Sequence, residues 1–220
     1  MNKVALFDFC ETIANFQTAD AFVFYIVEKS NKRSVYLRSK IYSILNKLKI
    51  TKLCEILCPK SSVNKRMVLY ITKGLSKQEM EAFAKKYYLE RVKPNLILPV
   101  LSKLVEKKKK KYNIYIVSAG YEIYLKYFLK DFEIEPDHLI SVKIAFKKGK
   151  CSGTFDGGDR LYDKTVFLDK LFDSKDVYSI SFSDSKTDLP FLKWANDAYV
   201  VRKSGTKRWA TDYNFKEIVW

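Results

Sequence analysis

Long apolar runs are missing from this chain: no stretch of about eighteen or more uncharged apolar residues occurs. That excludes a helix spanning a membrane. No secretory leader and a cytoplasmic location are expected, because an apolar run starting at Val4 already reads as a strand. Histidine is nearly absent. The single His138 precedes an expected strand, where a structural hydrogen bond is favoured over catalysis. Four cysteines, Cys10, Cys54, Cys58 and Cys151, lack the paired spacing of a zinc site. Cys54 and Cys58 are one helical turn apart in an apolar segment and are expected in the core of a protein kept reduced. Internal repeats and low-complexity linkers are lacking too, apart from the run Lys107 to Lys111.

Negative charge is short as well, with 25 Asp and Glu against 41 Lys and Arg, a net charge of +16. Such a surface draws anions in over a Debye length, whether a phosphorylated small molecule, an acidic membrane face or nucleic acid. No RNA-recognition or helix-turn-helix signature accompanies the fifteen Phe and fifteen Tyr, so no nucleic-acid partner is expected. Most of the charge reads as solvated helix faces. The segment Val35 to Lys49 alternates basic with apolar or aromatic residues. Laid on an anionic bilayer it would carry the molecule to a lipid-linked phosphate. The favoured expectation instead packs its apolar side against neighbouring helices, leaving peripheral membrane contact as the lesser reading.

What is present is material for a core and a set of polar groups at strand ends. Apolar residues make up 47% of 220, enough for one packed domain with a modest insertion. Val4-Ala5-Leu6-Phe7 stops at Asp8, which reads as a buried parallel strand delivering a carboxylate to the carboxyl edge of a sheet. Ile114 to Val117 ends in Ser118-Ala119-Gly120. Tyr178 to Phe182 ends in Ser183-Asp184 and, four residues on, Asp188. Between them Lys164 opens an apolar-periodic helix, Val166 to Phe172. From Thr12 to about Pro94 the periodicity is helical: Ala19 to Glu28, Val35 to Cys58, and Met67 to Thr72. Ser76 to Glu79 is a capping-box pattern opening a helix to Arg91. Beyond it, helices are expected at Leu96 to Lys111 and Glu122 to Phe132. A hairpin pairs Leu139 to Phe146 with Cys151 to Phe155 around Lys147-Lys148-Gly149-Lys150. Lys147 and Lys148 could compete with Lys164 as anion-gripping cations, but a hairpin tip normally faces solvent.

Asp8-x-Cys10-x-Thr12, Ser118, Lys164 and the Asp184/Asp188 pair, in that order, resemble the four motifs of the haloacid dehalogenase-like superfamily. Within it the chain is similar to the phosphoserine-phosphatase-like group with a helical cap. The resemblance implies an α/β fold, a Rossmann-like parallel-sheet core (residues 1–14 and 95–220) with an inserted all-helical cap (15–94). It implies that Asp8 is a nucleophile forming an aspartyl-phosphate. It further implies a Mg²⁺ ion held by Asp8, the main-chain carbonyl of Cys10, Asp184 and Asp188, the last as ligand or orienter. Ser118 and Lys164 would grip phosphate oxygens, helped by backbone N–H groups of Ala119 and Gly120 at a helix start. Gln17, Thr18 and Asp20 sit where the chain enters the cap. Gln17 is taken as a substrate contact, while a capping role is favoured for Thr18 or Asp20.

One position departs from the pattern. The residue two after the nucleophile is usually an Asp that protonates the leaving group, and here it is Cys10. A thiol is a poor substitute for a relay worth roughly 10² to 10⁴ in rate. Glu11 is a weaker replacement, since its side chain should point away from that of Cys10. The leading expectation is a Mg²⁺-dependent phosphomonoester hydrolase or phosphotransferase acting on a small phosphorylated metabolite. The alternatives are a catalytically impaired phospho-ligand binder and a basic protein that binds membranes or polyanions. Monomer and homodimer both remain open.

Overall fold

The computed structural model describes residues 2–57, 62–157, 163–173, 176–205 and 207–220. At its centre lies β1 (Asn2–Phe7), whose Val4 to Phe7 are completely buried. It pairs in parallel with β2 (Asn113–Tyr121) on one side and β5 (Val177–Ser183) on the other. A strand sandwiched in this way is apolar on both faces, which is why its sequence shows no alternation. Beyond β2 come β3 (Leu139–Lys147), parallel, and β4 (Lys150–Asp156), antiparallel. Beyond β5 come β6 (Asp197–Arg202) and β7 (Lys216–Val219), both parallel. The seven-stranded order is β4-β3-β2-β1-β5-β6-β7, so the chain reverses direction across the sheet at β1. Open α/β sheets build sites at such a reversal, outside the carboxyl ends of the strands. The fold is thus the α/β parallel-sheet class expected.

Aromatic packing binds the middle strands. Phe7 stacks on Phe182 with ring centroids 4.1 Å apart, and Phe182 on Tyr199 at 4.8 Å. The β3–β4 hairpin turns through Lys148 and Gly149, both at positive φ, and the two lysines at its tip are exposed. His138 stacks on Tyr115, and its Nδ1 lies 3.1 Å from the Ile114 carbonyl, a structural setting. Lys107 opens the lysine run buried over the Tyr112 and Tyr199 rings, and Lys108 donates to the Phe132 and Glu133 carbonyls.

Between β1 and the sheet's second strand the chain runs through α1 (Thr18–Lys29), α2 (Arg33–Lys47), α3 (Ile50–Leu57), α4 (Val63–Tyr70), α5 (Lys77–Tyr87) and α6 (Leu98–Lys109). The expected single helix from Val35 to Cys58 is broken at Lys49, which adopts φ 57° and ends α2 with a left-handed residue. The helix opened by the capping box is α helical only to Tyr87. It widens into a π turn over Tyr88–Val92 and tightens to a 3₁₀ turn at Lys93–Asn95, where Pro94 stops it. Leu96 and Ile97 stay extended, so α6 begins two residues later than the periodicity suggested.

Two expectations about this segment are corrected. The apolar residues of α2 pack only in part: Val35 is buried and Tyr42 is half-buried, its hydroxyl donating to Asn64 of α4 at 2.8 Å, whereas Leu37, Ile41, Ile44 and Leu48 are exposed. Cys54 is half-buried rather than a core residue, and Cys58 lies outside the described residues.

Among the described residues the remaining α-helices are α7 (Glu122–Asp131), α8 (Thr165–Leu171), α9 (Leu189–Trp194) and α10 (Arg208–Asp212).

Candidate active site

Asp8 is the first residue beyond β1, and its N–H donates to the Phe182 carbonyl at 2.9 Å, extending the sheet ladder by one rung. The chain then turns sharply, with Glu11 at φ 56° and the Ile13 and Ala14 N–H groups both donating to the Phe9 carbonyl. This tight turn folds Thr12 back under Asp8. Thr12 Oγ1 lies 3.1 Å from Asp8 Oδ2 and 3.3 Å from Asp184 Oδ1, and accepts the Asp184 N–H at 3.0 Å. One hydroxyl thereby ties the end of β1 to the end of β5.

Lys164 arrives as the residue before α8 and is almost fully buried. Its Nζ donates to Asp8 Oδ1 at 2.7 Å and to Asp188 Oδ2 at 2.5 Å, and it sits 5.0 Å above the Phe191 ring. Asp188 also accepts the Ser183 hydroxyl at 2.6 Å. Burial pulls the Lys164 ammonium down, but Asp8 and Asp188 together outweigh it and hold it raised. Burial pushes Asp8 up to about 6, opposed by Lys164 and reinforced by Asp188 and Asp184. Asp184 is likewise raised, first by burial, with Lys207 opposing. Lys207 Nζ reaches the Asp184 main-chain carbonyl and lies 3.7 Å from its carboxylate.

Among the described residues three carboxylates thus crowd around the almost fully buried Lys164, with the more exposed Lys207 beside Asp184, an excess of negative charge suited to a further cation. Among the described residues, no three Asp, Glu, His or Cys side chains gather closely enough to hold a metal on their own. Mg²⁺ needs less than that, because it keeps waters and is bound through one or two carboxylates plus substrate oxygens. Asp8 and Asp184, joined through Thr12, are such a pair of hard oxygen donors, so the residues fit the ion. Asp188, engaged by Lys164 and Ser183, stands as an orienter of the lysine.

A cavity of about 1140 Å³ opens over this cluster. Of the residues singled out in the sequence, Asp8, Cys10, Gln17, Ala119, Lys164, Asp184 and Asp188 line it. Ser118 and Gly120 are buried in the wall. The strand β2 continues through both of them to Tyr121 rather than ending at Ser118, so Ala119 and Gly120 do not stand at a helix start, while the helix itself begins at Glu122 as expected. Gly120 N–H donates to Ser118 Oγ at 3.0 Å, which engages it within the wall. A Cβ at Gly120 would meet the Tyr124 hydroxyl at 2.6 Å, so glycine is required there for close packing. Gln17 donates to Glu11, and its side chain does not cap α1. Asp20 lines the cavity, and Thr18 turns inward.

Cys10 sits at the end of a buried chain of polar groups. Its Sγ is 3.0 Å from Thr18 Oγ1, which is 2.7 Å from the Tyr124 hydroxyl, while Tyr87 donates to the Thr18 carbonyl at 2.8 Å. Burial, and then the nearby Asp8 charge, push the thiol up, so it stays protonated. Sequence reasoning did not find the opposite wall. Glu55 of α3 and Asn64 and Lys65 of α4 line the cavity, with Lys65 donating to the Ala119 carbonyl at 2.6 Å. Nothing in helical periodicity distinguishes such residues from solvated ones.

Residues 5–193 match the family model described as haloacid dehalogenase-like hydrolase. A segment of 108 residues, 48% of this chain, is 31% identical to glycerol-3-phosphate acyltransferase RAM2 of Petunia hybrida. The chain spans only 22% of that relative's length. Among solved structures, a protein of unknown function from Bordetella pertussis Tohama I superposes with a TM-score of 0.78 at 16% identity, covering 99% of this chain and 98% of the other. A phosphoserine phosphatase in its apo form superposes with a TM-score of 0.60 at 18% identity, over 91% and 86% of the two chains. At these identities the superpositions speak to the fold.

Proposed function

We propose, because this chain belongs to the haloacid dehalogenase-like hydrolase family, that it cleaves or transfers the phosphoryl group of a small phosphomonoester through an aspartyl-phosphate on Asp8. The observation that carries this reading is the buried Lys164 ammonium held between Asp8 and Asp188 under a cavity open to a ligand. A phosphate monoester and a carboxylate repel each other, so attack needs fixed positive charge at the place where they meet. Lys164 supplies it. Asp8 attacks phosphorus, the bond to the leaving oxygen breaks, and water or another acceptor then takes the phosphoryl group from Asp8. Thr12 and Lys164, one on each carboxylate oxygen, fix the rotation of Asp8 for that attack. Asp8, Asp184 and the main-chain carbonyl of Cys10 would hold Mg²⁺, with Asp188 behind Lys164. When bound, that ion neutralises negative charge on the phosphoryl oxygens.

The helical segment 15–94 serves as the cap that chooses the substrate. Asp20, Glu55, Asn64 and Lys65 from this segment face the cluster across the cavity, a mixed-charge wall suited to the non-phosphate part of a small polar ester. The leaving group is the weak point of the reaction, because Cys10 is held as a thiol and donates a proton poorly. A slow enzyme, or one whose leaving group needs little protonation, follows from that substitution.

The test is turnover of a phosphomonoester panel with and without Mg²⁺, including p-nitrophenyl phosphate, phosphoserine and glycerol 3-phosphate. The last two are suggested by the names of the similar proteins. Turnover is expected to require Mg²⁺ and to fall by at least about 10³-fold in Asp8→Asn. Hydrolysis that persists in Asp8→Asn would overturn the reading.

A further inference from the structure

The apolar face left uncovered on α2 and α3 has its own chemistry. Leu37, Ile41, Ile44 and Leu48 follow one another at spacings of four, three and four, which lines them along one side of α2. Leu53, Ile56 and Leu57 continue the exposed apolar series on α3, which packs against α2. From Leu37 at 49% to Leu57 at 71% these side chains are open to solvent, whereas a helix of a folded domain normally turns such a stripe inward. The charge around the stripe is of one sign. From Lys29 to Lys52 the chain carries eight Lys and Arg and no Asp or Glu. Arg33, Lys40 and Lys47, at seven-residue spacing, run beside the stripe, and none of the three forms an ion pair with a described residue.

An exposed apolar stripe bordered by cations that no described carboxylate neutralises complements one kind of surface, an anionic bilayer, whose interface takes the apolar side chains while its headgroups meet the cations. A second copy of this chain fits poorly, because a two-fold contact through this face would set Arg33, Lys40 and Lys47 against their own counterparts. No helix among the described residues is long and apolar enough to cross a membrane, so the contact is one of lying on the surface.

We infer that α2 and α3 form a docking face for an anionic lipid bilayer. Glu55, on the same α3, lines the cavity above Asp8, so docking sets the mouth of the cavity beside the lipid headgroups. The docking itself does not depend on the phosphoryl-transfer reading.

The experiment is co-sedimentation of the full chain with vesicles of phosphatidylcholine alone and of phosphatidylcholine mixed with phosphatidylserine, over a salt series. Analytical ultracentrifugation without lipid runs alongside. The wild type is expected to bind the mixed vesicles, to bind phosphatidylcholine at least about tenfold more weakly, and to release as salt rises. The double variant Ile41→Asp/Ile44→Asp, and separately Lys40→Glu/Lys47→Glu, should each weaken binding by about tenfold or more with an unchanged circular dichroism spectrum. Asp8→Asn should bind vesicles as the wild type does, which separates the docking face from the cavity. Failure to bind mixed vesicles, equal binding to neutral ones, retained binding in both surface variants, or loss of binding in Asp8→Asn would overturn the inference. So would a dimer in solution that Ile41→Asp/Ile44→Asp dissociates.

Discussion

At Cys10 a single substitution in an otherwise complete motif shapes what the site can do. Its thiol is engaged by Thr18, and through it by Tyr124, and burial keeps it protonated. Poor proton donation predicts a steep dependence on the leaving group. An aryl phosphate, whose phenolate departs readily, should turn over far faster than an alkyl phosphate of similar size. Cys10→Asp should narrow that gap by raising alkyl turnover roughly 10²-fold or more, read as the ratio of kcat/KM for the two esters in each variant. An unchanged ratio would show that the residue at this position does not deliver the proton. The sequence made Cys10 visible through its spacing from Asp8 and Thr12. It did not show Thr18 and Tyr124 as its partners, because Tyr124 is 106 positions from Thr18 and comes near only when α7 packs on β2.

Among the helices, α5 is the one whose start is written most fully in local sequence. Ser76 Oγ accepts the Glu79 N–H at 3.1 Å, and Glu79 accepts the Ser76 N–H at 2.8 Å while pairing with Lys32. Replacing the cap, Ser76→Ala, should lower stability by about 1 kcal/mol in urea unfolding. The Lys32 hydrogen bond first, and then the Ser76 backbone, draw the Glu79 carboxyl from 4.5 down to about 2. A carboxylate depressed on folding stabilises the protein above its ordinary value and loses that effect as the pH falls through the folded one. The stability gap between wild type and Glu79→Gln should therefore be full near neutral pH and close as the pH approaches about 2. A capping box is legible because its partners lie three residues apart. The break at Lys49 was not, since a lysine in the left-handed region has no distinguishing local signal and the apolar spacing continues straight across it.

For the molecule as a whole, the sheet holds the site, and the Phe7, Phe182 and Tyr199 rings hold its central strands. Phe182 is fully buried, so Phe182→Ala should destabilise the protein by about 3 to 5 kcal/mol. Chemical denaturation would read this as a lower midpoint with an unchanged slope, and a loss under about 1 kcal/mol would mean the strands are held by other contacts. The central strands were legible because a strand covered on both faces must be apolar throughout. Asp8, Ser118 and Asp184 stood out because each follows an apolar run, and Lys164 because it opens an apolar-periodic helix. The sequence alone therefore determined the α/β class, the order of the motifs and the helical insertion, all of which follow from patterns a few residues long. Only the tertiary structure decided that Lys164 lies between Asp8 and Asp188, that Ser118 is enclosed in the wall, and that Leu37, Ile41, Ile44 and Leu48 of α2 stay exposed. Periodicity states that a face is apolar, but what covers it depends on which distant segments arrive there.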